Sequence, residues 1–263
     1  MGKIEQTSFA AFAGRLADAA RLVTVAACPA ARAAENKGAA ERFDPVTVAD
    51  RQAELAMRAL IEAQYPDHGI EGEEFPNKEA SGRHIWTLDP IDGTRAFICG
   101  LPSWTTLIGL IAGGEPILGL IDAPALNERY LGTEGSARMI TAGGSRLLST
   151  SPCSNLSEAR LSTTDPYLFE AGESDAFEHL RRAVRLTRFG YDAYAYARLA
   201  SGDIDLVAES GLKPHDFWPL VQVIRGAGGV IGNWSGGADL SGGDVLAAAT
   251  RQLFDQAVGK LTR

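Results

Sequence analysis

The sequence predicts a mixed α+β fold with two unlike halves. Three observations lead there. The first stretch, to about Gln64, carries apolar residues at helical spacing. Between His84 and Ile140, β-type runs are separated by glycine-rich turns, the mark of antiparallel hairpins. From Arg160 onward short strands alternate with helices, as in a layered α/β arrangement. A chain of 263 residues can bury a sizeable core. The expected division is 1–147 and 148–263, where Gly143-Gly144 leads into the polar stretch Ser149 to Ser157.

Phe9, Phe12, Leu16, Ala19 and Val23 recur every three or four residues and predict a helix ending near Cys28-Pro29. A second helix is expected from about Ala49 to Gln64, with Ala53, Met57 and Leu60 on one face and Pro66 just beyond. Asp67 to Glu74, rich in acid and glycine, reads as a loop. His84 to Leu88 is a β run, and a short helix follows from Thr94 to Cys99. Thr105–Ile111 and Ile117–Ile121 flank Gly113-Gly114 as a hairpin, and Arg129–Leu131 and Ala137–Ile140 continue the antiparallel pattern. In the second half, strands are expected at Arg160–Thr163, Arg185–Thr187 and Ile204–Ala208. Helices are expected at Asp175–Arg182, Tyr194–Leu199 and Phe217–Arg225, the last closed by Gly226, Gly228 and Gly229.

Composition excludes several classes. Net charge is −8 and no basic block stands out, which gives nucleic-acid binding no electrostatic support. No apolar run approaches the ~20 residues of a spanning helix. Met1 to Gln6 lacks the basic-then-apolar form of a signal peptide, so a cytoplasmic location is expected. Cys28, Cys99 and Cys153 are odd in number and far apart, so free, mostly buried thiols are expected rather than disulfides or a zinc site.

The chemistry concentrates in Asp89-Pro90-Ile91-Asp92-Gly93-Thr94, directly after the His84–Leu88 run. Pro90 fixes its own φ and donates no hydrogen bond, while Gly93 can take angles closed to other residues. Two carboxylates on a stiff turn cannot be buried unpaired, and a hard cation such as Mg²⁺ is the usual compensation. Glu73, in Gly72-Glu73-Glu74, and Asp216, after Lys213-Pro214-His215, are further candidate ligands. The Ile91 carbonyl, between the two Asp, is a natural addition. Glu73 also reads as part of a solvated acidic loop, and Asp216 as a helix N-cap. Asp50 has two readings as well: a helix cap, or a partner that helps Thr94 orient a water. Gly93, Thr94 and Arg95 present backbone N–H groups at a helix start, where an anion would be welcome.

Charge bookkeeping narrows the reaction. Four carboxylates carry about −4 and a phosphate monoester about −2, so two or three Mg²⁺ ions would bring the site near neutrality. Metals there would polarise phosphoryl oxygens and activate water, which makes phosphate-ester hydrolysis the natural class.

The whole set, with Gly226-Ala227-Gly228-Gly229 closing the helix after Asp216, resembles the inositol monophosphatase superfamily. The resemblance runs from Asp44-Pro45-Val46-Thr47 to Gly229. It implies a layered α-β-α-β-α sandwich of the inositol monophosphatase and fructose-1,6-bisphosphatase type. It also implies a lithium-sensitive, Mg²⁺-dependent phosphomonoesterase acting on a small phosphorylated metabolite, usually as a homodimer. Carried over by position, Glu73, Asp89, the Ile91 carbonyl, Asp92 and Asp216 match the metal ligands. Thr94 matches the water-activating hydroxyl, Asp50 its acidic partner, and Gly93 and Thr94 the phosphate-contacting backbone.

A finer resemblance is to the histidinol-phosphatase branch, which serves histidine biosynthesis. It rests on Gly93 to Gly100, Trp104, Thr106-Leu107-Ile108, Leu161 to Thr164, Tyr191 to Tyr196, and Glu209 with Leu212 to Asp216. It implies Asp192 and Glu209 as leaving-group contacts. The chain departs from that branch at Tyr191, at His215 and at Phe217-Trp218-Pro219, beside the expected substrate pocket. An inositol or other polyol phosphatase is the alternative within the same chemistry. A non-catalytic regulatory relative is the alternative outside it, and the complete set of acids counts against it.

Overall fold

The structure is a computed structural model that describes residues 3–27, 35–36 and 45–262. The chain begins with α1 (Lys3–Ala27), a two-residue ladder of β1 (Glu35–Asn36) and β2 (Pro45–Val46), and α2 (Val48–Gln64). There follow β3 (Gly69–Gly72), β4 (His84–Asp92), α3 (Thr94–Ile98), β5 (Thr105–Ala112), β6 (Glu115–Ala123), β7 (Glu128–Thr133), β8 (Ser136–Thr141) and β9 (Gly144–Leu147). The remainder holds β10 (Arg160–Thr163), α4 (Ala171–Arg181), β11 (Leu186–Phe189), α5 (Tyr194–Ala200), β12 (Leu206–Glu209), α6 (Pro214–Gly226), β13 (Val230–Gly232), β14 (Val245–Ala248) and α7 (Arg251–Leu261).

Strands β3 to β9 form a seven-stranded sheet in sequence order; a five-stranded sheet runs β11-β10-β12-β14-β13. Alternation along each strand gives each sheet two apolar faces. On the first sheet, Trp86, Leu88, Ile108, Leu110, Leu118 and Leu120 pack with Phe12, Leu16, Ala53 and Met57 of α1 and α2. The opposite face, with Leu107, Ile121 and Tyr130, packs with α5 and α6 and with Val207, Val245 and Ala247 of the second sheet. The far face of the second sheet, with Leu161, Leu206, Ala208 and Leu246, is covered by Phe177 and Leu180 of α4 and Phe254 of α7. The result is the five-layer α-β-α-β-α order.

Helix α6 crosses the first sheet unusually closely. Gly109, Gly119 and Gly132 are register partners on three adjacent strands, so they form one row across the sheet. A Cβ at Gly119 would lie 2.9 Å from the Pro219 carbonyl carbon, and one at Gly109 would lie 3.2 Å from the Pro219 nitrogen. A Cβ at Gly132 would overlap the Gln222 backbone. Pro219 inside the helix removes an N–H where the sheet presses against the backbone.

Several expectations change. The acidic loop contains β3, which pairs in parallel with β4 and bridges back to Lys78. Its single large apolar residue, Ile70, is fully buried, but one such residue gives no period to read. Leu60 is 37% exposed, and Ile61 takes the buried place beside Ala53 and Met57. Helix α6 begins at Pro214, ahead of the expected start, because Pro is well suited to a first helical turn. Cys99 is exposed and Cys153 only half-buried, against the expectation of buried thiols; Cys28 lies outside the described residues. No described helix is long and apolar enough to cross a membrane.

Gly119→Ala should destabilise the protein by about 1–3 kcal/mol, the usual cost of overpacking. It should also lower activity, because it lifts the helix that carries Asp216. Thermal unfolding and phosphate release on the same sample would check both.

Candidate active site

Parallel pairing makes β3 and β4 run toward the same edge, with Gly72 opposite Leu88. The Glu73 N–H then donates to the Leu88 carbonyl at 3.1 Å, so Glu73 leaves the sheet beside Asp89. The pairing of β4 with β5 slips between Asp89 and Asp92, so this segment is a bulged strand end rather than a turn after the strand. Its backbone is held locally. Ile91 N–H donates to Asp89 Oδ1 at 3.0 Å, and Thr106 Oγ1 donates to the Pro90 carbonyl at 2.8 Å. Gly93 follows at φ 79°, a left-handed angle that lets the chain turn straight into α3.

The third acid arrives from the other half of the chain. Asp216 sits in the first turn of α6 and accepts the Lys213 N–H at 2.7 Å. Carboxylate oxygens of Asp89, Asp92 and Asp216 come within 4.8 Å of one another. Capping and convergence therefore coexist at Asp216, as a carboxylate with two oxygens allows. Asp92 is pinned by Thr105 Oγ1 at 3.2 Å and by the Ala193 N–H at 2.7 Å.

The electrostatics are strained. Burial, then the charges of Glu73, Asp92, Asp216 and Asp50, pushes the Asp89 carboxyl well above the usual range. Burial and then Asp192 do the same to Asp92, and burial raises Asp216 despite the nearby His215. Among the described residues no Lys, Arg or His pairs with Asp89 or Asp92. Carboxylate oxygens gathered with no described Lys or Arg beside Asp89 or Asp92 suit a divalent ion of the Mg²⁺ type. Glu73 stands close enough to raise Asp89, Asp216 and Asp50, but its oxygens fall outside the tight group of three.

Thr94 and Asp50 do not pair directly. Thr94 Oγ1 donates to the Ile91 carbonyl at 3.0 Å. Asp50, in the first turn of α2, caps the helix with one oxygen, accepting the Thr47 N–H at 2.8 Å and the Thr47 hydroxyl. The helix-cap reading thus holds for Oδ2, while the expected Thr94 hydrogen bond is absent because Thr94 is turned back onto its own loop. Asp50 Oδ1 is buried with no partner, an orphan that suits a bound water or ion at the site.

A second group of acids flanks the first. A cavity of about 20 Å³ is lined by Asp92, Thr164, Asp192, Tyr196, Glu209 and Asp216, among others. Asp192 has φ 47° and lies against Gly93, where a Cβ would come within 2.9 Å of its Oδ2. Its side chain does not cap α5. Burial raises its carboxyl to about 6, partly offset by Arg95. Glu209, at the end of β12, accepts the Thr164 N–H at 2.8 Å, Thr164 Oγ1 at 2.9 Å and Thr163 Oγ1 at 3.3 Å. Burial nevertheless pushes Glu209 up to about 8. Arg95 reaches Asp165 at 3.6 Å.

Sequence reasoning missed Tyr196. Its hydroxyl is buried without a partner, and burial followed by Glu209, Asp92 and Asp216 pushes the phenol well up. The departures Phe217 and Pro219 do not line the cavity; both are buried, Phe217 in the central apolar layer and Pro219 over the glycine row.

Comparison with known proteins agrees with this geometry. The inositol monophosphatase family model matches residues 5–263. A chloroplastic bifunctional phosphatase IMPL2 of Arabidopsis thaliana is 45% identical over 230 residues, 83% of this chain and 66% of that protein. A histidinol-phosphatase of Mycobacterium tuberculosis is 34% identical over 220 residues, 82% of this chain and 84% of that enzyme. The solved structure of an inositol monophosphatase from Zymomonas mobilis superposes with a TM-score of 0.85 at 38% identity, covering 100% of both chains. The chain belongs to the inositol monophosphatase family and is a phosphatase of that superfamily, whose enzymes use divalent metals.

Asp92→Asn should abolish most phosphate release while raising the melting temperature measured without divalent ions. The substitution keeps the side chain's size and removes one of the mutually repelling charges that hold these carboxyls above their usual range. Retained turnover at low Mg²⁺ by the folded variant would contradict the assignment.

Proposed function

We propose that this chain hydrolyses L-histidinol phosphate to L-histidinol and phosphate with Mg²⁺ as cofactor. The observation that carries the reading is the acidic cavity beside the metal-type cluster. Asp192 and Glu209 line it together with Asp92 and Asp216. A polyol leaving group offers hydroxyls and has no need of two extra carboxylates. A leaving group with a primary ammonium does. A cavity of about 20 Å³ takes one water-sized group, and an ammonium nitrogen is of that size.

In this reading Glu73, Asp89, the Ile91 carbonyl, Asp92 and Asp216 hold two or three Mg²⁺ ions. Bound Mg²⁺ would act as a Lewis acid on phosphoryl oxygens and lower the pKa of water. The backbone of Gly93, Thr94 and Arg95 receives the phosphate at the start of α3. Thr94 and Asp50 orient the attacking water; the Thr94 hydroxyl must turn from Ile91 toward the orphan Asp50 Oδ1 to do so. Asp192 takes the substrate ammonium, and Glu209, fixed by Thr163 and Thr164, lines the same cavity as a second carboxyl whose raised pKa lets it hydrogen-bond in its neutral form. No cysteine lies in a phosphate-loop context and the aspartates are committed to metal, so direct attack by water is expected, without a phospho-enzyme. A cytoplasmic homodimer sensitive to Li⁺ completes the proposal.

Hydrolysis of inositol phosphate or another polyol phosphate is the second reading. It is favoured by the two threonine hydroxyls at Glu209, which suit a hydroxylated ring.

Phosphate release should be measured with and without Mg²⁺ on histidinol phosphate, inositol phosphate, a sugar phosphate and a neutral alkyl phosphate. Histidinol phosphate should be preferred. Asp192→Asn should weaken it by the ~1.5–3 kcal/mol of a charged hydrogen bond while sparing the alkyl phosphate. Equal losses on both, or a wild-type preference for inositol phosphate, would move the assignment to the second reading.

A further inference from the structure

We infer that Glu54 and Arg58, on the face of α2 that also carries Asp50, are positioning residues that set how tightly the acidic site holds its divalent ion. The inference rests on the metal reading above. Glu54 is fully buried, and its Oε1 accepts Arg58 Nε at 2.7 Å. Its Oε2 accepts the Glu74 N–H at 2.8 Å, and Arg58 Nη2 donates to the Phe75 carbonyl at 3.2 Å. The pair therefore grips the backbone on the C-terminal side of Glu73, while the Glu73 N–H to Leu88 fixes the other side.

Gly72 shows how close this grip is. A Cβ there would lie 2.5 Å from Glu54 Cδ, so only glycine lets the carboxylate reach the loop. The φ of Gly72 is not left-handed, so contact rather than backbone freedom requires it. Asp50 lies one turn earlier on α2, so one helix face fixes both the orphan carboxylate and the Glu73 loop. A buried ion pair is weak as a stabilising device, since desolvation offsets most of its attraction. Its value here is geometric: it aims a carboxylate at a cluster where small displacements change affinity.

The test is calorimetric Mg²⁺ binding to the full, metal-free chain. Glu54→Gln keeps the shape, but its amide group must face either Arg58 or the Glu74 N–H, donor against donor, so one contact breaks. Mg²⁺ binding should weaken about 10–100-fold, the usual effect of losing a residue that orients a metal ligand. Gly72→Ala should weaken it similarly and reads the same contact should Glu54→Gln fail to fold. Arg129→Leu removes a buried pair with Asp122 against α1 and serves as the stability control. It should lower the melting temperature and leave Mg²⁺ affinity unchanged. Wild-type Mg²⁺ affinity in both Glu54→Gln and Gly72→Ala would overturn the inference. So would an equal loss in Arg129→Leu, which would mean general loosening. Absence of Mg²⁺ binding by the wild type would overturn the metal reading and this inference with it.

Discussion

Helix α6 lies against three neighbouring strands at the points where none of them has a side chain, and the rest of the molecule is arranged around that contact. The row Gly109, Gly119 and Gly132 lets the helix backbone meet the sheet backbone. Close approach has two consequences. It leaves the other side of the helix free to cover the second sheet, so one helix serves as core for both. It also sets the level of the helix's first turn, and with it Asp216, against the strand end carrying Asp89 and Asp92. The same seat continues at Gly226, where a Cβ would lie 2.9 Å from the Ala137 nitrogen on β8. Four glycines thus replace side-chain packing with backbone contact along the helix. Their conformational entropy is a cost that packing in the layers on either side must offset.

That close seat imposes an electrostatic cost. Asp89, Asp92 and Asp216 are brought together in a place where burial alone disfavours their charge. Without a cation these groups hold protons more tightly than ordinary carboxyls. A bound divalent ion would reverse the balance, because Asp89, Asp92 and Asp216 would then hold it in place of protons. Stability is therefore spent on function at this end of the sheet. The hydrogen bonds to Asp92 from Thr105 and Ala193, and to Asp89 from Ile91, hold the acids in position regardless of their charge state.

Legibility in the sequence followed the range of the interactions. Asp89, Asp92, Gly93 and Thr94 were readable because proline, glycine and two acids within six residues constrain one another locally. Asp216 was readable as a helix-start acid, and its capping bond to Lys213 is present. Strand β3 was not readable, since it is held by β4 and Lys78 rather than by its own pattern. Leu60 misled because a period of three or four leaves two neighbouring positions equivalent, and only the packed helix chooses Ile61. The Thr94–Asp50 relation was not legible for a different reason: a hydroxyl rotor has local acceptors, and here Thr94 donates to the Ile91 carbonyl while Asp50 Oδ1 stays without a partner. Glu54 and Tyr196 carried no sequence signal of their own, because their significance lies in partners that only the tertiary fold supplies.

The departures from the histidinol-phosphatase pattern look different once packing is considered. Phe217-Trp218-Pro219 follows directly on Asp216, so proximity in sequence suggested an altered substrate pocket. Yet helical geometry sends neighbouring residues to different faces. Phe217 is buried in the central layer with Trp218 packed against its ring at 5.1 Å, and Pro219 rests on the glycine row. The cavity receives Leu220 from this helix instead, one turn beyond Asp216. The aromatic pair and the proline are thus explained by how α6 packs, and they bear on the level of the helix more than on what it recognises. Besides Asp92 and Asp216, the polar residues that line the cavity are Thr164, Asp192, Tyr196 and Glu209. A difference in substrate between this chain and its relatives should therefore be sought at those four positions rather than at the aromatic pair, and a change of charge at Asp192 would also reach Asp92, whose carboxyl it raises.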